Sequence, residues 1–109
     1  MATKANLVID QGTTYTTTLT LTDENGVPLN LAQATASSQI RKTYSSSMAV
    51  TFATAINVQM GEITLSLTAN QTSSMTPGRY VYDVELTEYG NTITRVVEGV
   101  VTVTPQVTR

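Results

Sequence analysis

Residues 15–22 alternate strictly between two kinds of side chain, and this period of two constrains the fold more than any other sequence feature. Threonine occupies every second position of the segment. The intervening positions are Tyr15, Thr17, Leu19 and Leu21. Successive side chains of a β-strand point to opposite faces, so the pattern predicts a strand with one buried face and one hydroxylated face. Threonine fills about a fifth of the 109 positions, and β-branched residues favour such half-exposed pleated surfaces.

The same alternation recurs along the chain and predicts about seven strands. The segments are 7–9, 15–22, 34–42, 48–58, which offers two strand candidates, 62–67, 79–86 and 92–104. An alanine-rich helix at 49–55 is an alternative, but its β-branched neighbours argue against it. Turn residues separate the strands roughly every 8 to 12 positions, which is typical of a two-sheet antiparallel β-sandwich of immunoglobulin type. A small barrel or a jelly roll is the alternative architecture.

Three local patterns refine the predicted sandwich. Residues 68–75 form at most one short helical turn, with Thr68 as the N-cap and Met75 directed to the core. The last strand is expected to bury Ile93, Val97, Val101 and Val103 and to bend at Gly99. A tyrosine corner is predicted at Gly78 and Tyr80, since immunoglobulin-like sandwiches place such a tyrosine at the start of the penultimate strand.

Length and composition predict a single domain over residues 1–109, with flexible or extended tails at 1–4 and 105–109. A chain of this size buries enough surface for one core. The first ten residues contain one lysine and a short apolar run, unlike a secretory signal peptide. No window approaches the roughly 18 apolar residues of a membrane span. We therefore expect neither a signal peptide nor a membrane partner.

The absence of histidine and cysteine removes whole classes of chemistry from consideration. Without them the chain has no imidazole base, no thiol nucleophile, no disulfide and no thiolate or imidazole metal ligand. The formal net charge is −2, with six scattered basic residues, which is unlike a nucleic-acid-binding surface. These features predict a protein that is not an enzyme and that needs no cofactor, metal or nucleic acid.

Several acidic groups are candidate chemical sites. The turn Asp23-Glu24-Asn25-Gly26 has oxygen ligands for calcium but lacks the further acids of a calcium loop, so a hairpin turn is the favoured interpretation. Asp83 and Glu85 lie on one strand face about 7 Å apart, conceivable as a glycosidase pair but more typical of a solvated face. A small enzyme would need Asp83, Glu85 or Glu62 in a cleft.

Exposed aromatic and hydroxyl groups suggest binding instead. Tyr80 and Tyr82 alternate in phase with core positions, which leaves Tyr44 and Tyr89 as the loop tyrosines available to stack on a sugar. Binding of a carbohydrate or cell surface is the alternative function, and Tyr89→Ala should then abolish glycan binding. The threonine face lacks the regularity of an ice-binding array and is compatible with lateral assembly.

Basic residues provide one more candidate surface. Arg41, Lys42 and Arg95 could form a patch for an acidic partner. They could equally pair across strands with Asp83, Glu85 or Glu98, and this second interpretation is favoured.

Taken together, six segments resemble small virion structural proteins of tailed bacteriophages, in particular the N-terminal β-sandwich domain of the siphophage baseplate upper protein. The matching segments are 9–15 (IDQGTTY), 23–31 (DENGVPLNL), 36–41 (ASSQIR), 61–68 (GEITLSLT), 77–86 (PGRYVYDVEL), and 95–109, which includes RVVEG and VTPQVTR. The similarity covers nearly the whole chain. In those relatives linker helices and receptor-engaging domains follow the sandwich.

The resemblance implies a structural role in a virus particle, with no catalytic residues. The expected location is the virion, after synthesis in the host cytoplasm, as a baseplate, tail, neck or head-surface component. The expected partners are other virion proteins and further copies of this chain, because symmetric particles are built from repeated subunits. Assembly through edge strands or the hydroxylated face is therefore predicted.

Overall fold

Two β-sheets lie face to face in a computed structural model that describes residues 3–22, 26, 31–47, 49–88 and 90–107. In chain order the strands are β1 Thr3–Lys4, β2 Leu7–Asp10, β3 Tyr15–Thr20, β4 Thr35–Arg41, β5 Ala49–Thr51, β6 Ala53–Asn57, β7 Glu62–Leu67, β8 Gly78–Glu88 and β9 Thr92–Thr104. A short helix, α1 Ala69–Ser73, connects β7 to β8. The predicted all-β sandwich is confirmed, with nine strands in the described residues in place of about seven.

The two sheets contain different numbers of strands. Sheet A has the order β1-β9-β8-β4-β5, with β2 also paired to β9, and sheet B has the order β3-β7-β6. Both β1 and β2 run parallel to β9, whereas the other pairs are antiparallel. The set β9-β8-β4 facing the set β3-β7-β6 reproduces the two sheets of an immunoglobulin-type sandwich.

Apolar side chains from alternate positions of both sheets fill the space between them. The largest fully buried ones are Ile9, Leu31, Ile40, Ile63, Leu65, Leu86, Val84, Val101 and Val103. Phe52 lies between β5 and β6, where the chain passes from sheet A to sheet B. Its ring centroid is 6.4 Å from that of Tyr15 and 6.3 Å from that of Tyr82. Residues 49–55 thus form two strands around a buried aromatic, and not a helix.

A bulge between β8 and β9 overturns one predicted core position. Val84 faces Val97, but its neighbour Glu85 faces Arg95, so one extra residue is inserted in β9. An insertion of one residue moves every following side chain to the opposite face. Ile93 was predicted to be buried, and it is 63% exposed. Val97, Val101 and Val103 lie beyond the bulge and are buried as expected.

Gly99, where a bend is predicted, makes room for the segment between β1 and β2. A Cβ atom built on it would lie 2.1 Å from the carbonyl oxygen of Ala5. The backbone of Ala5 donates to the carbonyl oxygen of Glu98 at 2.9 Å, and the side chain of Asn6 accepts a bond from Val100 at 3.1 Å. A glycine at this position therefore lets the chain between β1 and β2 lie against β9.

Helix α1 begins after Thr68, as the sequence predicts, and ends at Ser73, two residues before the predicted limit at 75. Thr68 is the N-cap, with a capping box in which its hydroxyl accepts from the Gln71 backbone and the Gln71 side chain accepts from the Thr68 backbone. Met75 is buried in the core, and its carbonyl oxygen accepts a bond from Gln11 at 3.1 Å. No helix among the described residues is long and apolar enough to cross a membrane.

Both predicted tails are attached to the sandwich where the structure describes them. Thr3 and Lys4 form β1, opposite Val97 and Glu98. At the other end, the backbone of Gln106 donates to the side chain of Gln11 at 3.0 Å. Hydrogen bonds to the sandwich therefore hold both segments.

Candidate functional site

The outer face of sheet B is a small lattice of short side chains, and we call it the hydroxyl face. Strand register places its members in three rows that cross β3, β7 and β6 in that order. The rows are Thr16, Ser66 and Ala53; Thr18, Thr64 and Ala55; and Thr20, Glu62 and Asn57. Alternate positions point outward because the strands bury Leu19, Ile63, Leu65 and their neighbours on the other side.

Charge is nearly absent from the hydroxyl face. Glu62, in the last row, is the one charged side chain in the lattice. In the central row the hydroxyls of Thr18 and Thr64 share a hydrogen bond of 3.1 Å across the strands. A surface of hydroxyls and methyl groups is less costly to remove from water than a charged surface, so this face is suited to contact with another protein.

Among the described strands, the outer edge of β3 has no partner. Just beyond the strand, the backbone of Leu21 donates to the carbonyl oxygen of Gly61 at 2.8 Å, so the odd-numbered residues bond to β7. Bonded pairs alternate along an antiparallel ladder. The backbone N–H and C=O groups of Thr16, Thr18 and Thr20 therefore point to the open side.

The outer face of sheet A is different in character, because it is charged and concave. A groove of about 380 Å³ crosses β4, β8 and β9 there. Polar groups line most of it, including Gln39, Arg41, Asp83, Glu85, Arg95 and Glu98. Arg95 lies 3.2 Å from a carboxylate oxygen of Asp83 and 4.0 Å from one of Glu98. The predicted pairing of Arg95 across strands is thus confirmed.

Arg41 supports a loop at the rim of this groove and does not form the predicted ion pair. Its guanidinium donates to the carbonyl oxygen of Ser46 at 2.6 Å and to the side chain of Gln39 at 2.9 Å. The loop from Arg41 to Ser46 carries Tyr44, which is 80% exposed and lines the groove. One of the two predicted binding tyrosines therefore lies beside a concave polar surface. Tyr89 lies outside the described residues.

Tyr80 occupies the corner position at the start of β8. Its hydroxyl donates to the carbonyl oxygen of Thr76 at 2.6 Å, four residues upstream. Gly78 has a φ of +141°, a backbone conformation that residues other than glycine rarely adopt. Lys42 Nζ lies 4.7 Å from the Tyr80 ring centroid, within cation–π range. The predicted basic pair Arg41 and Lys42 is therefore divided between two environments.

Acidic groups do not converge on a metal site in the described residues, where no group of three or more potential ligands was found. Asp83 and Glu85 share the outer face of β8, as predicted, and Asp83 pairs with Arg95. Glu62 lies on the opposite sheet, at the start of β7, and so cannot join them in one cleft. Of the turn at 23–26, only Gly26 is among the described residues.

Tyr82, which is buried, and Tyr15, which is partly buried, both have raised pKa values. Burial raises the pKa of Tyr82 to about 12, and the nearby Tyr15 adds a smaller effect in the same direction. Burial also raises the pKa of Tyr15, opposed by a hydrogen bond with Thr17. Both rings belong to the core cluster around Phe52. Their raised pKa values thus follow from core packing.

Sequence reasoning missed the groove and the open edge of β3. Alternation identified the outward side of each strand but not which strands become neighbours. The groove depends on the order β4-β8-β9, and the open edge depends on β1 and β2 both joining sheet A. The outward pair Gln39 and Arg41, flanking buried Ile40, was the pattern that could have indicated a polar surface beside Tyr44.

Comparison with known proteins identifies a similar fold and no family. No protein-family model and no curated protein matches the chain. Among solved structures, the chain is similar to part of an internalin-like protein of Listeria monocytogenes, with a TM-score of 0.54 and 22% sequence identity. The similarity covers 94% of this chain and 28% of that one. The chain thus spans less than a third of that protein, and the likeness at this identity concerns the β fold alone.

Proposed function

We propose that this domain is a non-enzymatic structural component of a tailed-phage virion and that it acts by assembly with other virion proteins. The hydroxyl face is the observation that supports this proposal most directly. It offers a lattice of mostly small side chains with a single carboxylate, at Glu62. The resemblance of segments 9–15, 36–41, 61–68 and 77–86 to phage β-sandwich domains supports the virion as the place of assembly.

The mechanism we propose is geometric. Two packed sheets give a rigid block, and the hydroxyl face of each block contacts a neighbouring protein without removing many charges from water. Each such contact is weak. Repetition of the block around a symmetric particle makes the combined attachment strong, because every further contact forms at a high effective concentration.

Particle incorporation tests this proposal. Virions purified on a density gradient from the host that carries the gene should contain the protein at a fixed copy number, measured by quantitative mass spectrometry. Ala55→Lys places a cation in the central row of the hydroxyl face, where Ala55 is exposed. We expect it to reduce incorporation at least about tenfold. Thr35→Lys, an exposed position on β4 of sheet A, is the matched control and should incorporate normally.

The outcomes separate two parts of the proposal. Protein found only outside the particles would overturn the virion role. Equal incorporation of Ala55→Lys and the wild type would instead remove the hydroxyl face from the contact. Both variants change an exposed side chain to lysine, so a difference between them reports the face and not the added charge alone.

A second candidate function is saccharide binding in the groove of sheet A. The specific observation is that Tyr44 lies at the rim of a 380 Å³ groove that also presents Gln39 and Glu85. An aromatic ring can cover the apolar face of a sugar while amide and carboxylate groups bond to its hydroxyls. A glycan array should then show binding that Tyr44→Ala abolishes and Tyr44→Phe retains. Absence of binding by the wild type would reject this function, and equal binding by all three proteins would remove Tyr44 from the site.

A further inference from the structure

The edges of the two sheets are protected to different degrees. Beside β5, the Gln71 side chain donates to the carbonyl oxygen of Thr51 at 3.4 Å. Beside β6, the Thr54 hydroxyl donates to the carbonyl oxygen of Ala36 at 3.0 Å, which ties that strand to β4. The free side of β1 and β2 carries the charged residues Lys4 and Asp10. Side-chain hydrogen bonds or charged residues are therefore present at three of the four sheet edges: β5, β6, and the edge formed by β1 and β2.

The fourth edge, β3, has neither kind of protection in the described residues. Its sequence, YTTTLT, contains no charge, proline or glycine. Natural proteins place charges, prolines, bulges or covering segments on exposed edges because free N–H and C=O groups pair readily with another strand. An unprotected edge beside a nearly uncharged face is thus a candidate for pairing with another chain.

We propose that two copies of this chain associate by antiparallel pairing of β3 with β3 across a two-fold axis at Thr18. The occupant we propose is a second copy, because β3 is uncharged and no side chain of the strand repels its counterpart when the strand meets itself. The two three-stranded sheets B then join into one continuous sheet. This inference concerns the edge of β3 and does not depend on a role in the virion.

The register follows from two conditions. Opposite residues of an antiparallel pair point to the same face, so threonines of the hydroxyl face must meet one another, and even positions must face even positions. The backbone groups that point outward belong to Thr16, Thr18 and Thr20. With the axis at Thr18, Thr18 faces Thr18 and Thr16 faces Thr20, so all of these groups are paired within the dimer. An axis at position 17 or 19 leaves one of the three threonines without a partner within β3.

Disulfide trapping tests the register, because the chain contains no cysteine and every disulfide in a single-cysteine variant is intermolecular. Bonded antiparallel pairs have Cα atoms about 5.5 Å apart, inside the range of about 4.4–6.8 Å that a disulfide spans. Thr18→Cys should therefore form a disulfide-linked dimer on mild oxidation. Thr16→Cys and Thr20→Cys should each link poorly alone, and their mixture should give the heterodimer. Thr64→Cys, on the central strand of the same face, is the control.

Charge substitution tests the association without a covalent bond. Light scattering over a concentration series should show a wild-type dimer, and Thr18→Lys should raise the dissociation constant at least about tenfold, because two ammonium groups then meet at the axis. An equimolar mixture of Thr18→Lys and Thr18→Glu should restore the dimer. A wild-type monomer at every concentration, or equal trapping of Thr18→Cys and Thr64→Cys, would overturn the proposal.

These results are separable from those on particle incorporation. A dimer that is absent from virions would leave β3 pairing intact and reject the virion role. A monomer that is incorporated into particles would reject β3 pairing and leave the virion role intact.

Discussion

The hydroxyl of Tyr82 donates a hydrogen bond of 2.5 Å to the carbonyl oxygen of Ala5, 77 residues earlier in the chain. Tyr82 is 4% exposed and its ring packs edge-on against Phe52. The bond therefore links the aromatic centre of the core to the segment between β1 and β2. Gly99, directly opposite Tyr82 on β9, leaves the space in which the Ala5 carbonyl lies.

Tyr82→Phe should lower the free energy of unfolding by about 1–2 kcal/mol, because the Ala5 carbonyl oxygen loses its donor while the ring continues to fill the core. Urea unfolding at neutral pH measures this change. Tyr80→Phe is the control, since it removes the more exposed bond to Thr76. A larger loss in Tyr80→Phe than in Tyr82→Phe would contradict the assignment.

Alkaline pH should destabilise the protein through Tyr82. Its pKa is about 12 in the folded chain and about 10 in the unfolded chain. The unfolded state thus releases this proton first, and stability falls as pH rises from about 10 to 12, by about 1.4 kcal/mol per pH unit for one group. Below pH 10 this group has no such effect.

Unfolding curves recorded at pH 9, 10, 11 and 12 would test this dependence. Tyr82→Phe should show a shallower decline than the wild type over the same range. The raised pKa of Tyr15 acts in the same direction, so part of the decline should remain. Identical slopes in the two proteins would show that Tyr82 ionises alike in the folded and unfolded chains.

Gly99→Ala should be destabilising by about 1–3 kcal/mol, because the added methyl group would overlap backbone atoms of Ala5. The expected response is displacement of β1 and the following residues from β9. Deletion of residues 1–6 supplies the matched background: the same substitution should cost much less there. Thermal unfolding of the four proteins gives this comparison, and an equal cost in both backgrounds would refute the proposed overlap.

Thr72→Val should weaken the attachment of α1 to the sandwich. Thr72 is fully buried, and its hydroxyl lies 2.7 Å from the carbonyl oxygen of Thr13 and 3.1 Å from that of Ala69. Valine keeps the shape but leaves these acceptors without the hydroxyl, so we expect a loss of about 1–3 kcal/mol. Chemical unfolding measures it, and Ser73→Ala on the exposed side of α1 should change stability little.

Much of the fold could be predicted because its determinants are local. Alternation in 15–22 identified the buried side of β3, since a strand exposes every second residue. The cap at Thr68 was predictable because an N-cap needs only a side-chain hydroxyl that accepts from an unpaired backbone N–H in the first turn of the helix. The Tyr80 position followed from the turn before it. None of these features depends on which strands become neighbours.

The features that could not be predicted depend on contacts with residues that are distant in the sequence. Ile93 is apolar and in phase with Val97, and only the bulge opposite Val84 and Glu85 turns it outward. Strand β1 has no hydrophobic pattern of its own and exists because β9 supplies its hydrogen bonds. The groove beside Tyr44 was not predictable for the same reason: its walls come from three strands whose order the sequence does not state.

The parallel pairing of β2 with β9 has a mechanical consequence. Leu7 faces Val101 and Asp10 faces Thr104, so the two strands point the same way. A pull applied before β1 and after β9 would act on opposite ends of this pair. The load would fall along the strands and across all their hydrogen bonds together, so that they must shear as a group instead of opening one by one. Force applied along the chain would thus meet the paired β2 and β9 before it reached the core.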